Sequence, residues 1–315
     1  LKTVIIGAGI AGLSAAKVLV EKGHDVTILD KGRGIGGRMS TRTIENAKAD
    51  HGAQYFSVKS AEFQALISEL QTEEITKEWH LTQRQNVRYI GAKGMNTIPK
   101  KMATDLTIHL NEKVVLIAKN EIRTESGNTY CFDNLIITIP IPQVIDLFMA
   151  SEISFSEKDK SVINSVEYDP CIAVMAVLKQ ATEIPSGGII LENQPVALIA
   201  DNFQKGITEI PTVTIHASAE FSKKHLEDNL QEVAEMMLSS VNQWIISENI
   251  VSVQVHRWRY SLACKRYEQP FYQIENKNIY LGGDGFGIGN VEGAFLSGYR
   301  LAMSILVEPK IYQLN

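Results

Sequence analysis

Cysteine is scarce in this chain. Only Cys131, Cys171 and Cys264 occur in 315 residues, far apart and without metal-ligand spacing, which excludes a disulfide framework and a thiolate metal centre and suits reduced, mostly packed thiols. An excess of positive charge is also missing. Thirty-one Lys and Arg against 36 Asp and Glu give a net charge of −5, so the clustered field of a nucleic-acid surface is absent. The longest basic cluster, Lys223-Lys224-His225, reads as a solvated helix start. No apolar run is long enough to span a bilayer, since Leu135 to Ile141 is interrupted by Pro140 and flanked by Pro142. Nor does a charged leader with an apolar stretch precede the first strand-like residues; the chain starts at Leu1 rather than Met, as if a few leading residues had been trimmed. The expectation is a soluble protein of a reducing, cytoplasmic compartment, with no nucleic-acid or membrane partner. What is present is a hydrophobic fraction of 44%, enough for a large core divided into two lobes.

The most informative stretch is Lys2 to Asp30. An apolar run, Val4-Ile5-Ile6, leads into Gly7-Ala8-Gly9-Ile10-Ala11-Gly12, then a helical segment from Leu13 to Lys22, then Val26-Thr27-Ile28-Leu29-Asp30. Gly7 permits a sharp turn, Gly9 clears space where a pyrophosphate approaches the backbone, and Gly12 lets helix and strand pack closely. Unpaired N–H groups at the helix start, including those of Ile10 and Ala11, face the phosphates. Asp30, eighteen positions beyond Gly12, is placed to accept from a ribose hydroxyl. The flanks supply the strand, helix and acid that the glycine pattern needs to mean a dinucleotide site.

A nicotinamide-type unit runs from the acid into another helix. Here Lys31-Gly32-Arg33-Gly34-Ile35-Gly36-Gly37-Arg38-Met39 follows instead, a second glycine-rich loop whose amides and guanidinium can wrap another side of a pyrophosphate. That favours FAD over a dissociable NAD. The next block, Asp50-His51-Gly52-Ala53-Gln54-Tyr55-Phe56, mixes small, polar and aromatic residues as backbone near a planar ring does; Gly52, Ala53, Gln54 and Tyr55 join the cofactor candidates, and His51 reads as structural.

Phe63, Leu66, Ile67 and Leu70 then mark an amphipathic helix, followed by a polar stretch through Arg88. A glycine turn at Tyr89 to Asn96 enters a helix from about Asn96 to Ala103. Short strands at Thr107–Leu110, Val114–Ile117, Ile122–Thr124 and Tyr130–Phe132 carry a hairpin turn at Glu125-Ser126-Gly127-Asn128, and Val114 is a candidate for backbone contact with adenine. Asn134 to Ile139 reads as a buried parallel strand. Beyond Ala150, strand-like runs at Ile172–Leu178, Gly188–Leu191, Ala197–Ala200 and Thr212–His216 precede one long helix stepping through Leu226, Leu230, Val233, Met237, Val241, Trp244 and Ile245. The Met236-Met237 pair is core filler. A strand from Val251 ends in His256-Arg257-Trp258-Arg259-Tyr260. The chain closes with the apolar strand Ile279-Tyr280-Leu281, the turn Gly282-Gly283-Asp284-Gly285, and a small-residue helix near Val291 to Gly298. Gly283 and Asp284 suit ribityl or phosphate contacts, and the amides at Val291 and Ala294 can stabilise negative charge on a flavin.

Together, Gly7 to Gly12, Asp30, Gly36-Gly37-Arg38-Met39, Asp50 to Phe56 and Gly282 to Gly298 resemble the FAD-dependent amine oxidase superfamily. Within it, Gly37-Arg38-Met39-Ser40, Gly52 to Phe56, His216-Ala217-Ser218, His256 to Ser261 and Gly282 to Phe286 resemble the renalases. The resemblance implies an α/β protein: a Rossmann-like FAD-binding domain, a parallel sheet with an inserted β-meander, over 1–58, 89–149 and 256–315, and a substrate domain with a mostly antiparallel sheet and helices over 59–88 and 150–255. It further implies an FAD-dependent oxidase that takes hydride from isomeric reduced nicotinamide dinucleotides to flavin N5 and passes electrons to oxygen, giving NAD(P)+ and hydrogen peroxide. FAD is expected to be noncovalent, because covalent monoamine oxidases carry a cysteine near the carboxyl-terminal flavin segment and none follows Cys264 here.

Direct hydride transfer needs no strong base, and no Ser/His/Asp or Cys/His set stands out. His216 and Arg257 are candidates for polar substrate contacts, with structural hydrogen bonding as the alternative. Tyr55, Trp258, Tyr260 and Tyr272 could supply aromatic rings, or simply pack. An oxidase of amines or of another small molecule, and a non-catalytic FAD-binding protein, are the alternatives.

Overall fold

The apolar run Thr3 to Ile6 is buried along its whole length, as a strand covered on both faces must be. In the computed structural model, which describes residues 1–83, 86–192 and 195–307, this strand is the centre of a six-stranded sheet. Its order is Tyr272–Gln273, Ile279–Leu281, Asn134–Ile137, Lys2–Ile6, Asp25–Asp30, Thr107–Leu110. All neighbours run parallel except the short edge strand at Tyr272. An antiparallel three-stranded sheet, Val114–Ile117, Glu121–Thr124 and Thr129–Cys131, is inserted before Asn134. These elements belong to a compact unit formed by Leu1–Gly37, Met102–Val166 and Lys265–Asn315. Of the expected FAD-binding segments, 308–315 lies outside the described residues.

Helix Ile10–Glu21 packs in this unit against the last described helix, Asn290–Val307. Gly298 permits that contact, because a Cβ there would stand 1.9 Å from Ala11 O. The expected small-residue helix is therefore longer than its glycine-containing start, and its apolar residues Leu301, Ala302 and Ile305 continue the buried stripe.

A second compact unit comprises Arg38–Lys101 and Glu167–Cys264. Its five-stranded sheet has the order Gly188–Ile190, Val196–Asp201, Thr212–Ala217, Glu167–Leu178, Ile250–Lys265, and the first three pairings are antiparallel. Alternation gives the sheet two characters. Ile172, Val174, Ala176, Val213 and Ile215 pack with Val233, Ala234 and Met237 of a helix, whereas Met175 and Val177 meet Ile44, Ala47 and Ala49. The latter come from the antiparallel hairpin Thr41–Ile44 and Ala47–Asp50.

Three sequence expectations change. The single helix through Leu226 to Ile245 is instead the shorter Leu230–Ser240, capped by the Asn229 side chain, which accepts from Gln231 and Glu232, and a separate helix Ala219–Lys224 precedes it. Val241 and Ile245 still pack on the same cluster, which is why the apolar period outruns the helix. The polar stretch before Arg88 contains the strand Thr76–Trp79, paired with Arg88–Gly91; 84–85 within it lies outside the described residues. Met237 is buried as filler while Met236 is 42% exposed. The amphipathic helix is found at Ala61–Thr72, capped by Ser60, with Phe63, Ile67 and Leu70 buried.

Candidate functional site

In the first unit the two glycine loops meet. Gly36 N donates to Ala8 O at 2.9 Å, and Gly9 and Gly36 form an isolated parallel bridge. Asp30 ties both loops down, its carboxylate accepting from Ala8 N at 2.7 Å and Gly32 N at 2.6 Å. A carboxylate has about four acceptor sites, so capacity for a ribose hydroxyl remains. Gly7 has φ +111°, and a Cβ on Gly12 would lie 2.0 Å from Gly7 O, so the turn and the helix entry are set against each other.

Gly9 tests the fit of a dinucleotide. Nothing lies within 4 Å of where its Cβ would be, so packing does not demand glycine there. The helix it precedes has no side-chain cap and no acid in its first turn, so the helix itself supplies no anion to the N–H groups of Ile10, Ala11 and Gly12. Phosphate oxygens fit that arrangement, and the residues present suit FAD. At the other end of the unit, Gly283 N donates to Ser297 Oγ at 2.8 Å, Asp284 is buried, and Asn290 Oδ1 accepts from Gly293 N at 3.1 Å. Val291 and Ala294 share one face of the first helical turn. Val114 begins its strand opposite Thr124. Exposed Lys31 donates to Gln143 Oε1 at 2.9 Å.

The remaining candidates lie in the second unit. Arg38 donates to Tyr260 O at 3.2 Å and Ser261 O at 3.1 Å, with its guanidinium 5.8 Å from the Tyr168 ring centre. Met39 is buried. Ala53 N donates to Arg38 O at 2.8 Å, while a Cβ on Gly52 would be 1.9 Å from that same oxygen.

His216 and Trp258 come together on one atom: their ring N–H groups donate to His51 O at 3.3 and 2.8 Å. The His51 ring stacks on Trp258 at 5.3 Å, and His256 meets Trp258 edge-on at 4.4 Å. Arg42 donates to His256 Nδ1 at 3.4 Å. Desolvation, followed by the Arg42 charge, lowers the His51 pKa to about 3 and the His256 pKa to about 4; desolvation lowers that of His216 to about 4. Three neutral imidazoles therefore line this corner at pH near 7.

Arg257 does not join them. Its side chain points to the other side of the strand from Trp258, donates to Asp228 O at 2.9 Å and pairs with Glu227 at 3.8 Å, which is the structural hydrogen bonding left open from sequence. Tyr55 packs against Trp79 at 5.7 Å beneath Arg88 at 5.6 Å, and Tyr260 meets Tyr168 edge-on at 5.9 Å. In the first unit, Tyr272 is buried and donates to Asp159 at 2.9 Å.

Lys205 escaped the sequence reading. Both it and Asp50 have fully buried side chains, 3.3 Å apart, and the Lys205 ammonium lies 5.1 Å from the Trp79 ring centre. Burial lowers its pKa, an effect the Asp50 carboxylate opposes. Among the described residues no group of three or more His, Cys, Asp or Glu could hold a metal, and no helix is long and apolar enough to cross a membrane.

A dinucleotide-binding parallel sheet joined to an antiparallel sheet, with these glycine loops, defines an FAD-dependent oxidoreductase of mixed α/β architecture. The model of the flavin containing amine oxidoreductase family matches residues 68–306 and that of an NAD(P)-binding Rossmann-like domain matches 5–70; the chain belongs to the flavin containing amine oxidoreductase family and resembles renalase. Mouse (Mus musculus) renalase is 25% identical over 99% of this chain and 99% of its own. A putrescine oxidase variant superposes with TM-score 0.75 at 16% identity, covering 97% of this chain and 99% of that one. Reduced UDP-galactopyranose mutase does so with TM-score 0.74 at 14% identity, covering 97% and 93%.

Proposed function

We propose that this enzyme oxidises isomeric reduced nicotinamide dinucleotides, carrying hydride at a ring position other than C4, to NAD(P)+. Bound FAD supplies the hydride acceptor at N5 and the route by which electrons reach oxygen as hydrogen peroxide. The cofactor residues in this reading are Gly7, Gly9, Ile10, Ala11, Gly12, Asp30, Lys31, Gly37, Arg38, Met39, Gly52 to Tyr55, Val114, Gly283, Asp284, Val291 and Ala294. FAD is held noncovalently. Segments 1–58, 89–149 and 256–315 serve the cofactor, and 59–88 and 150–255 the substrate. The compartment is cytoplasmic, in keeping with three free cysteines.

The observation that carries this reading is the state of the aromatic side chains in the second unit. Tyr55, Trp79 and Tyr168 each already have a cation on the ring, from Arg88, Lys205 and Arg38. Another ammonium group would meet like charge there, so a polyamine is disfavoured relative to a neutral dihydronicotinamide with phosphates. The low-pKa imidazoles of His51, His216 and His256 are poor bases, which hydride transfer tolerates. Trp258 and Tyr260 bound the substrate, and His216 holds the segment beside it.

Anaerobic mixing of the yellow holoenzyme with such isomers is expected to bleach the flavin band faster than ordinary NADH does, with peroxide formed when air is admitted. Equal or slower bleaching overturns the reading. The fold likeness to putrescine oxidase supports a second reading, an amine oxidase, and peroxide from a polyamine panel would promote it.

A further inference from the structure

Four carbonyls of the Asp50–Gln54 segment, those of Asp50, His51, Gly52 and Gln54, are held by side chains. Asp50 O accepts from Thr214 Oγ1 at 2.7 Å and Gln54 Nε2 at 2.6 Å. His51 O accepts from Trp258 and His216, and Gly52 O from Gln54 Nε2 at 3.2 Å. Gln54 O accepts from Lys205 Nζ at 3.0 Å, and Lys205 also reaches Gln54 Oε1 at 3.2 Å. The amides divide differently. Those of Asp50, His51 and Ala53 donate to Asn202 Oδ1, Ser40 O and Arg38 O. Those of Gly52, Gln54 and Tyr55 have no acceptor among the described residues, although Gly52 and Tyr55 are half-buried and Gln54 is buried. Enclosed N–H groups are seldom left unpaired, because each costs about 1–3 kcal/mol. Gln54 is the buried one of the three, and its amide with those of Gly52 and Tyr55 leaves this stretch with donors to offer a ligand's acceptors.

We propose that Lys205 is a positioning residue for the cofactor: by gripping Gln54 at both its backbone and side-chain oxygens, with Asp50 as counter-charge, it presents the Gly52, Gln54 and Tyr55 amides to the electron-rich edge of the flavin ring. Donors set in advance along that edge favour added negative charge on the ring. The inference rests on the assignment of Gly52 to Tyr55 to the cofactor, and it makes no use of the nicotinamide substrate.

Lys205→Met alone would strand a buried carboxylate, so the test is Lys205→Met with Asp50→Asn. The readouts are the midpoint potential of bound FAD by dye equilibration, the position of its visible bands, and its dissociation constant. The double variant is expected to be reduced at a more negative potential, to show shifted bands and to bind FAD about tenfold more weakly, the size of one lost buried hydrogen bond. Gln54→Leu, which leaves the ion pair intact, should move the potential in the same direction by less and keeps the test open if the double variant does not fold. Met237→Ala, on the opposite face of the sheet, is the control for general loss of stability. Unchanged potential and affinity in both Lys205/Asp50 and Gln54 variants overturns the proposal, as does an equal shift in Met237→Ala. Because no substrate enters these measurements, their failure is distinct from failure of the nicotinamide reading.

Discussion

His216 stands on the side of its sheet that carries Thr214, and desolvation there lowers its pKa from 6.5 to about 4. The consequence for stability has a definite sign. Below about pH 6.5 the unfolded chain binds a proton that the native imidazole refuses, so stability is full above that value and is lost as the pH falls toward about 4. A shift of this size corresponds to roughly 3 kcal/mol for one group, and His51 and His256 act in the same direction. The melting temperature is therefore expected to fall steadily between about pH 7 and pH 4.5, and His216→Gln, which keeps an N–H donor for His51 O, should flatten the dependence. A flat wild-type profile would contradict it. At this scale the sequence was informative where a residue sat in a block of defined chemistry: Asp30 and the paired glycines were legible. Arg257 was ambiguous because face alternation along a strand can be used only once one residue's direction is known. Lys205 was not legible at all. Its partner Asp50 lies 155 positions away, and no local spacing says that a lysine in a polar turn is buried.

Where helix Asn290–Val307 meets the start of helix Ile10–Glu21, Gly298 faces Ala11 O closely enough that an added Cβ would sit at 1.9 Å. Neither backbone can yield without moving a whole element. Gly298→Ala should then push the two helices apart, costing about 1–3 kcal/mol as overpacking and disturbing the N–H groups beside Gly9. The expected result is a lower melting temperature together with weaker FAD retention on gel filtration; an alanine variant as stable and as yellow as the wild type would show that the contact relaxes freely. Elements themselves were largely readable, since the central parallel strands carry the buried apolar runs Val4–Ile6 and Leu135–Ile137 and the meander carries Gly127 in its turn at φ +89°. The misreading of 226–245 has a clear cause. Val241 and Ile245 lie beyond Ser240 yet remain buried against the same cluster, so apolar spacing reports which residues face a core, whereas the helix ends where its hydrogen bonds do. The overlooked strand Thr76–Trp79 shows the converse: Thr76 and Trp79 are buried while Lys77 and Glu78 are polar, a pattern too short to betray alternation.

The chain passes between its two compact units at Gly37, Lys101, Val166 and Cys264, so neither unit is a single continuous segment. The first is assembled from both ends of the described chain. Strand Ile279–Leu281 lies between Asn134–Ile137 and Tyr272–Gln273, and helix Asn290–Val307 covers helix Ile10–Glu21. This closure explains why two glycine turns at opposite ends of the sequence could be read together as parts of one cofactor site: a parallel sheet needs crossover connections, and distant strands become neighbours through them. It also yields a discriminating experiment. Ending the chain after Cys264 leaves the second unit all of its residues but removes from the first a sheet neighbour of the buried Leu135, Ile136 and Ile137 and the helix that Gly298 seats. The truncated protein is expected to be colourless and to lose its parallel-sheet unit, while hydrogen-exchange protection persists in Thr212–Ala217 and Glu167–Leu178 of the other. Stoichiometric FAD in the truncated protein would mean that Gly7 to Gly12 and Asp30 suffice to hold the cofactor, and that Gly283 to Ala294 contribute packing rather than contact.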